Sequence, residues 1–227
     1  MKKYGVFEVL GPIMIGPSSS HTAGAARLGK IAGTIAGGKI TKVDFLLHGS
    51  FGKTYKGHGT DRALVAGILG MEPSDERLRD ALTIAKEKGI EVNFIEEDLG
   101  DVHPNTVKFI IKCQGGGEVT VMGSSIGGGN IQITEVDGDK VQFTGAYPTL
   151  IISHRDVPGQ VSKVTTLLYE ENINIAFMKV FRNHRGTIAT MVFETDHSIP
   201  EEVLSKINSI SEIARVTYIS PVKDGEA

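Results

Sequence analysis

The order of strand-like and helix-like segments after Thr149 constrains the fold of this chain more than any other feature. Short apolar runs typical of strands alternate there with two segments of helical spacing, and Pro158 lies near the start of the first of these. The sequence predicts a strand at 150–153, a helix at 159–170, strands at 173–181 and 186–194 joined by a turn at 182–185, a helix at 200–207 and a strand at 214–219. A βαββαβ order within about 75 residues is the split βαβ, or ferredoxin-like, arrangement.

The residues before Thr149 follow a different pattern, in which helices come first and short strands follow. Predicted helices cover 22–36, 61–69 and 75–88, the last of them capped by Ser74. Predicted strands cover 40–47, 90–95, 107–113, 118–122, 130–136 and 141–143. Gly115-Gly116-Gly117 and Asp137-Gly138 have the residue types of hairpin turns. We therefore expect an α+β protein with a first domain at 1–147, a second at 148–227 and a linker around 144–149.

The charge balance argues against a nucleic-acid partner. The 227 residues carry a formal net charge of −3, and neither half of the chain is basic, whereas nucleic-acid-binding domains cluster Lys and Arg. The sequence contains no apolar run of membrane-spanning length and no recognisable signal peptide or lipidation signal. A cytoplasmic protein is expected.

Cys113 is the only cysteine of the sequence. A disulfide framework, an iron–sulfur cluster and a thiolate zinc site each need more than one thiol, so this chain cannot build any of them alone. Cys113 lies in the alternating run 107–113, which predicts a packed thiol on a strand.

The run Ser18-Ser19-Ser20-His21-Thr22 is the strongest functional signal in the sequence. Serines make a poor core but a good lining for a small polar ligand. A helix beginning near Thr22 would place these residues as a loop at its N-terminus, where free N–H groups and the helix dipole favour an anion. His21 titrates near neutrality and is a candidate base. The alternative is that Ser20 or Thr22 caps the helix and His21 is a surface side chain.

Three further motifs combine glycines or a proline with polar side chains. The run 57–62 (Gly-His-Gly-Thr-Asp-Arg) is either a loop that closes on a ligand or a helix cap beside an exposed histidine. His103-Pro104-Asn105 is either a polar pair held in place by proline or a turn. The run 124–130 (Ser-Ser-Ile-Gly-Gly-Gly-Asn) lets backbone N–H groups approach an anion, or is a glycine-rich hairpin.

Several common site signatures are missing. The segment 47–54 ends in Gly-Lys-Thr but has Leu47 where a phosphate-binding P-loop needs its first glycine. The serine run lacks the Gly-x-Ser-x-Gly elbow of many hydrolases. His48, His58 and Asp61 do not have the spacing of zinc ligands.

Taken together, these motifs resemble the beta subunit of bacterial iron–sulfur-dependent L-serine dehydratase. The motifs at 16–24, 57–61, 103–105 and 125–129 occur in the family's order and spacing, and the resemblance extends over essentially the whole chain. The resemblance implies a beta domain similar to the intervening domain of some phosphoglycerate dehydrogenases. It also implies deamination of L-serine to pyruvate and ammonia, with a [4Fe–4S] cluster ligated by an alpha subunit and not by this chain.

The resemblance and the chemistry of the elimination together give a hypothesis for the roles of individual residues. An iron of the partner's cluster would polarise the β-hydroxyl of serine while His21 removes the Cα proton. Substrate oxygens would be bound by Ser19, Ser20 and Thr22, with His103 and Asn105 as hydrogen-bonding support. Further substrate contacts are expected from Ser18 and from the glycines Gly127, Gly128 and Gly129.

Residues 149–220 resemble an ACT domain, the ferredoxin-like amino-acid sensor. The run 152–159 and the segment 172–175 are similar to the serine-sensing ACT domain of phosphoglycerate dehydrogenase. That match implies an effector site with Asp156 in place of an asparagine and a homodimer formed through this domain; the implied effector-binding residues are His154, Asp156, Gly159 and Asn174.

Two other functions compete with a catalytic subunit. One is a non-catalytic, amino-acid-binding regulatory subunit whose serine run only docks on the enzyme. The other is a stand-alone anion-binding protein or hydrolase, which would act without iron or a partner.

Overall fold

The computed structural model describes residues 14–16, 18–182 and 186–221. They form two compact units, the first ending at Gly138 and the second beginning at Asp139. The boundary between the two sequence domains, expected after residue 147, stays a prediction. Part of the turn predicted at 182–185 lies outside the described residues.

The first unit combines a sheet with helices. A π-helical turn (Ser19–Gly24) leads directly into α1 (Ala25–Ala36). The remaining elements are β1 (Ile40–Leu47), α2 (Gly49–His58), α3 (Thr60–Ile68), a 3-10 turn (Glu76–Asp80), α4 (Ala81–Glu87), β2 (Glu91–Glu96), β3 (Thr106–Cys113), β4 (Glu118–Gly127) and β5 (Asn130–Val136). The strand order is β2-β1-β3-β4-β5, parallel between β1 and β2 and antiparallel elsewhere.

Helices α1 and α3 approach each other through glycines. A Cβ at Gly67 would lie 2.1 Å from the carbonyl oxygen of Ala26, and one at Gly29 would lie 2.2 Å from that of Leu64. The two backbones therefore touch without intervening side chains. Phe45, Phe109 and other apolar side chains of the sheet are fully buried.

The structure corrects three sequence-based predictions in this unit. The serine run is helical rather than a loop ahead of a helix, because the π-helical turn begins at Ser19 and its N-cap is Ser18. Helix α2 was not predicted, and it includes Gly57 and His58, which were expected to precede the predicted helix 61–69 as a loop or a cap. The predicted helix 75–88 is divided into a 3-10 turn capped by the Asp75 side chain and α4, rather than one helix capped by Ser74.

The second unit has the predicted βαββαβ order. After β6 (Asp139–Phe143), which follows the Asp137-Gly138 turn, come β7 (Thr149–Arg155), α5 (Gln160–Glu170), β8 (Ile175–Arg182), β9 (Ile188–Thr195), α6 (Glu201–Asn208) and β10 (Ile213–Ile219). The antiparallel sheet has the order β10-β7-β9-β8. Its buried side chains pack with Val164 and Leu168 of α5 and with Val203 and Ile207 of α6. The α+β class and the ferredoxin-like second domain are confirmed.

None of the helices in the described part of the chain is both long enough and apolar enough to cross a membrane.

Candidate functional site

The π-helical turn places His21 inside the first unit. Ser18 precedes the turn with extended backbone, and its hydroxyl accepts a hydrogen bond from the His21 backbone N–H at 3.3 Å. Wide helical turns of this kind occur frequently at functional sites. His21 is only 8% exposed, so the interpretation of a surface histidine is wrong.

Hydroxyl groups flank both nitrogens of the His21 ring. Nδ1 lies 3.3 Å from Ser18 Oγ, whereas Nε2 lies 3.3 Å from Ser50 Oγ and 3.2 Å from Thr54 Oγ1. The ring also meets Phe51 edge-on at a centroid distance of 5.3 Å. Three hydroxyls and an aromatic ring therefore fix the position of the imidazole.

Burial lowers the pKa of His21, and the nearby His58 lowers it further. The two rings meet edge-on with centroids 4.7 Å apart, so two positive charges at this distance repel each other. Both effects favour the neutral imidazole, which is the form able to accept a proton.

A cavity of about 370 Å³ lies beside this histidine pair. Its lining includes His58 and Thr22 together with three cationic side chains, Lys56, Arg62 and Arg79. The Thr22 hydroxyl is buried and has no hydrogen-bond partner among the described residues. Because Thr22 and three cationic side chains line one small space, the cavity suits a small anion such as a carboxylate.

The other predicted residues of the serine run lie in or next to the same turn. Ser18, Ser19 and Ser20 are half-buried, and Ser18 contacts His21 as described. Thr22 lines the cavity, whereas His21 does not line it but contacts His58, which does.

His103 and Asn105 lie on the connection between β2 and β3. The ring Nδ1 of His103 accepts a hydrogen bond from the Asn105 backbone N–H at 3.1 Å, which is turn chemistry. The carbonyl of Asn105 accepts from the Ser125 backbone N–H at 2.9 Å. Asn105 is thus linked to β4, whereas His103 is exposed.

The three glycines Gly127, Gly128 and Gly129 all have positive φ and turn the chain from β4 into β5. Arg27 of α1 donates a hydrogen bond to the Gly129 carbonyl at 2.6 Å. The Gly129 carbonyl of this turn is therefore bound by a cation of the chain itself.

Four residues of this site were not predicted from the sequence: Ser50, Thr54, Lys56 and Arg79. Ser50 and Thr54 belong to the segment rejected as a P-loop, and they are one helical turn apart on α2. The sequence does show two hydroxyl residues four positions apart, which would share one face of a helix. Their contact with His21 depends on where α2 lies, and that helix was not predicted.

In the second unit, His154 is 3% exposed at the end of β7. Its Nδ1 lies 2.8 Å from the Arg155 carbonyl oxygen, and its buried Nε2 has no partner among the described residues. A carbonyl only accepts, so Nδ1 carries the hydrogen and Nε2 of the neutral ring is left as an acceptor.

The remaining predicted effector residues are already engaged or lie in turns. Asp156 accepts from the Gly186 backbone N–H at 2.8 Å and pairs with Arg182 at 2.9 Å, and these two interactions lower the pKa of its carboxyl. Asn174 donates to Asp196 at 2.6 Å. Gly159 has φ +89° and precedes α5.

No set of three or more His, Cys, Asp or Glu side chains within residues 14–16, 18–182 and 186–221 is arranged to hold a metal ion. Cys113, half-buried at the end of β3, is the single thiol of the chain. A [4Fe–4S] cluster is held mostly by cysteine thiolates, so the residues of this chain do not fit such a cluster.

Comparison with known proteins matches the two units to two families. Residues 5–87 match the serine dehydratase beta chain family, and residues 148–212 match the ACT domain family. A probable L-serine dehydratase beta chain of Bacillus subtilis is 42% identical over 97% of this chain and 100% of its own length. The L-serine dehydratase beta chain of Peptoniphilus asaccharolyticus is 41% identical over 96% of this chain and 99% of its own.

A more distant relative shares the same region within a longer protein. The D-3-phosphoglycerate dehydrogenase of Synechocystis sp. is 31% identical over 83% of this chain, which corresponds to 34% of the dehydrogenase. The similarity to phosphoglycerate dehydrogenases expected from the motifs is therefore confirmed. With more than 40% identity over nearly the full length of two relatives, this chain belongs to the L-serine dehydratase beta-chain family and carries an ACT domain.

Proposed function

We propose that this chain is the beta subunit of a two-chain L-serine ammonia-lyase that converts L-serine into pyruvate and ammonia and is active only with its alpha partner. The observation that carries the proposal is the buried His21 ring, held by three hydroxyls beside a cation-lined cavity. The names of the two full-length relatives support the same reaction.

The chemistry requires removal of the Cα proton and loss of the β-hydroxyl as water. The product of that elimination is aminoacrylate, which tautomerises and is hydrolysed to pyruvate and ammonia. We assign proton removal to His21, because burial and His58 keep its imidazole neutral and therefore basic.

The cavity lined by Thr22 and the three cations is the proposed binding site for the substrate. Arg62, Arg79 and Lys56 would attract the serine carboxylate, and the unpartnered Thr22 hydroxyl would donate to it. Ser18, Ser19 and Ser20 would contact the remaining polar atoms of the substrate, with Asn105, His103 and the Gly127–Gly129 turn as support around the π-helical turn.

The [4Fe–4S] cluster is assigned to the alpha subunit, since one thiol cannot hold it here. The ACT domain is assigned to amino-acid sensing, with His154, Asp156, Gly159 and Asn174 around the effector and a second copy of the chain completing a homodimer.

The test is serine-dependent pyruvate formation by the chain co-purified anaerobically with its alpha subunit, with each subunit alone as a control. His21→Ala should lower kcat about 10²- to 10⁴-fold, the usual contribution of a general base. The exposed His197→Ala, in the second unit, is the matched control and should leave kcat unchanged. If His21→Ala keeps wild-type turnover but loses the response to amino acids, the chain is a regulatory subunit instead.

A further inference from the structure

The hydroxyl of Thr54 has one hydrogen, and the structure shows where that hydrogen is used. Thr54 Oγ1 lies 2.7 Å from the Ser50 carbonyl oxygen, one turn earlier in α2. A carbonyl can only accept, so Thr54 is the donor in this bond. Its oxygen keeps only lone pairs for any other neighbour.

The other neighbour of that oxygen is Nε2 of His21, at 3.2 Å. If Nε2 lacked a hydrogen, two lone pairs would face each other in a buried site, which is unfavourable. If Nε2 carries the hydrogen, it donates to Thr54, and Ser50 Oγ at 3.3 Å can share the same hydrogen. The geometry therefore favours protonation of the ring at Nε2.

The opposite edge of the ring is consistent with this arrangement. Ser18 Oγ accepts from the His21 backbone N–H at 3.3 Å, which leaves its own hydrogen free to point at Nδ1, also 3.3 Å away. A neutral imidazole has one donor and one acceptor nitrogen, and Nδ1 is here the acceptor.

We infer that Thr54 is a positioning residue that holds His21 in the Nε2–H tautomer, so that Nδ1, on the Ser18 side of the ring, is the atom that accepts the proton. The assignment of Nδ1 as the accepting atom rests on the proposed function, whereas the tautomer itself does not. In the step, the Ser18 hydroxyl turns its hydrogen away from Nδ1, the Cα–H bond of serine breaks, an Nδ1–H bond forms, and the electron pair stays on carbon. The resulting imidazolium donates from Nδ1 to Ser18 and from Nε2 to Thr54.

The tautomer can be read directly by long-range ¹H–¹⁵N correlation spectra of the full-length chain labelled at histidine. Spectra are recorded at about pH 8, where imidazole is neutral, and the His21 signals are assigned by their absence in His21→Gln. The expected wild-type pattern is a protonated Nε2 and an unprotonated Nδ1. A wild-type ring protonated at Nδ1 would overturn the inference.

Thr54→Val keeps the shape of the side chain but removes the acceptor, whereas Thr54→Ser keeps the hydroxyl. In Thr54→Val we expect a substantial Nδ1–H population, and in Thr54→Ser we expect the wild-type pattern. An unchanged pattern in Thr54→Val would show that Thr54 does not hold the tautomer. If Thr54→Val does not fold, as judged by circular dichroism, Thr54→Ala replaces it with the same expected result.

The kinetic arm uses the assembled two-chain enzyme. Thr54→Val should lower kcat about five-fold with KM unchanged, the factor that one net hydrogen bond supplies, and Thr54→Ser should restore it. A rise in KM with unchanged kcat would contradict the positioning role. Wild-type turnover of His21→Ala would instead reject the proposed function and leave the tautomer result standing.

Discussion

Gly24 lies directly against Ser125, so that a Cβ at Gly24 would come within 2.1 Å of Ser125 Oγ and 2.8 Å of Ser125 Cβ. Gly24 ends the π-helical turn, and Ser125 belongs to β4. The Ser125 backbone N–H in turn binds the Asn105 carbonyl. This close approach therefore joins the turn that carries His21 to the strand beside the 103–105 motif.

The first prediction concerns that contact. Gly24→Ala should reduce the free energy of unfolding by about 1–3 kcal/mol, the usual cost of overpacking a buried site. Ser125→Gly removes both clashing atoms, so the double variant should recover most of that loss. Urea unfolding of the four proteins in this cycle measures the coupling.

Gly57→Ala is the matched control, because a Cβ at Gly57 meets no atom within 4 Å and the residue lies in α2. It should be neutral or slightly stabilising, since alanine favours helix. Equal destabilisation by Gly24→Ala with and without Ser125→Gly would contradict the packing argument.

The second prediction concerns pH. Burial and His58 lower the pKa of His21, so His21 becomes protonated only below the ordinary imidazole range of about 6.5. If His21 is the base, the acidic limb of kcat/KM should therefore lie below that value. His58→Phe keeps an aromatic ring but removes the charge, so it should raise the pKa of His21 and move the limb to higher pH.

The position of the limb, rather than the absolute rate, is the measurement, because His58 also lines the cavity. His197→Phe, at an exposed position in the second unit, is the control and should leave the limb in place. A limb that stays fixed in His58→Phe would show that another group titrates.

The third prediction concerns the cavity. If Arg62 binds the serine carboxylate, Arg62→Gln should raise KM about 10- to 100-fold with little change in kcat, the range for a hydrogen bond to a charged group. Arg62→Lys keeps the positive charge but cannot bind a carboxylate through two N–H groups, so its KM should lie between those of the wild type and Arg62→Gln. Lys86→Gln removes an exposed charge from α4 and should leave KM unchanged. An unchanged KM in Arg62→Gln would remove Arg62 from the binding site.

The strands and helices of the second unit were predictable because short apolar runs alternate along the chain with segments of helical spacing. Leu150 and Ile152 alternate on β7, and Val164 and Leu168 recur one turn apart on α5. Local periodicity alone therefore identifies these elements, and their order identifies the arrangement.

The first unit was less predictable because its helices depend on tertiary contacts. Helix α2 contains three glycines in ten residues, so intrinsic propensity argues against it. Packing of Phe51 in the core stabilises it nevertheless. The sequence therefore predicted His21 as a candidate base but not its partners Ser50 and Thr54, because a helix of low intrinsic propensity brings these two hydroxyls to the ring.

The last prediction concerns the ACT domain. His154 Nε2 is buried without a partner among the described residues, and its ring already donates from Nδ1 to the Arg155 carbonyl. A buried acceptor without a hydrogen bond is unfavourable, so a ligand that stabilises this site must donate a hydrogen to Nε2. The Asp156 carboxylate already accepts hydrogen bonds from Gly186 and Arg182. We therefore expect the ammonium group of an amino-acid effector to bind His154.

L-Serine should raise the Tm of the isolated chain, as measured by differential scanning fluorimetry, and His154→Leu should reduce that rise to what binding at the cavity of the first unit contributes. Tyr169→Phe, at an exposed position on α5, should retain the full rise. 3-Hydroxypropionate lacks the amine, so any shift that it produces should be the same with and without His154→Leu. A shift with 3-hydroxypropionate that is as sensitive to His154→Leu as the shift with L-serine would contradict the assignment, because 3-hydroxypropionate keeps the carboxylate and the hydroxyl of serine and lacks only the amine.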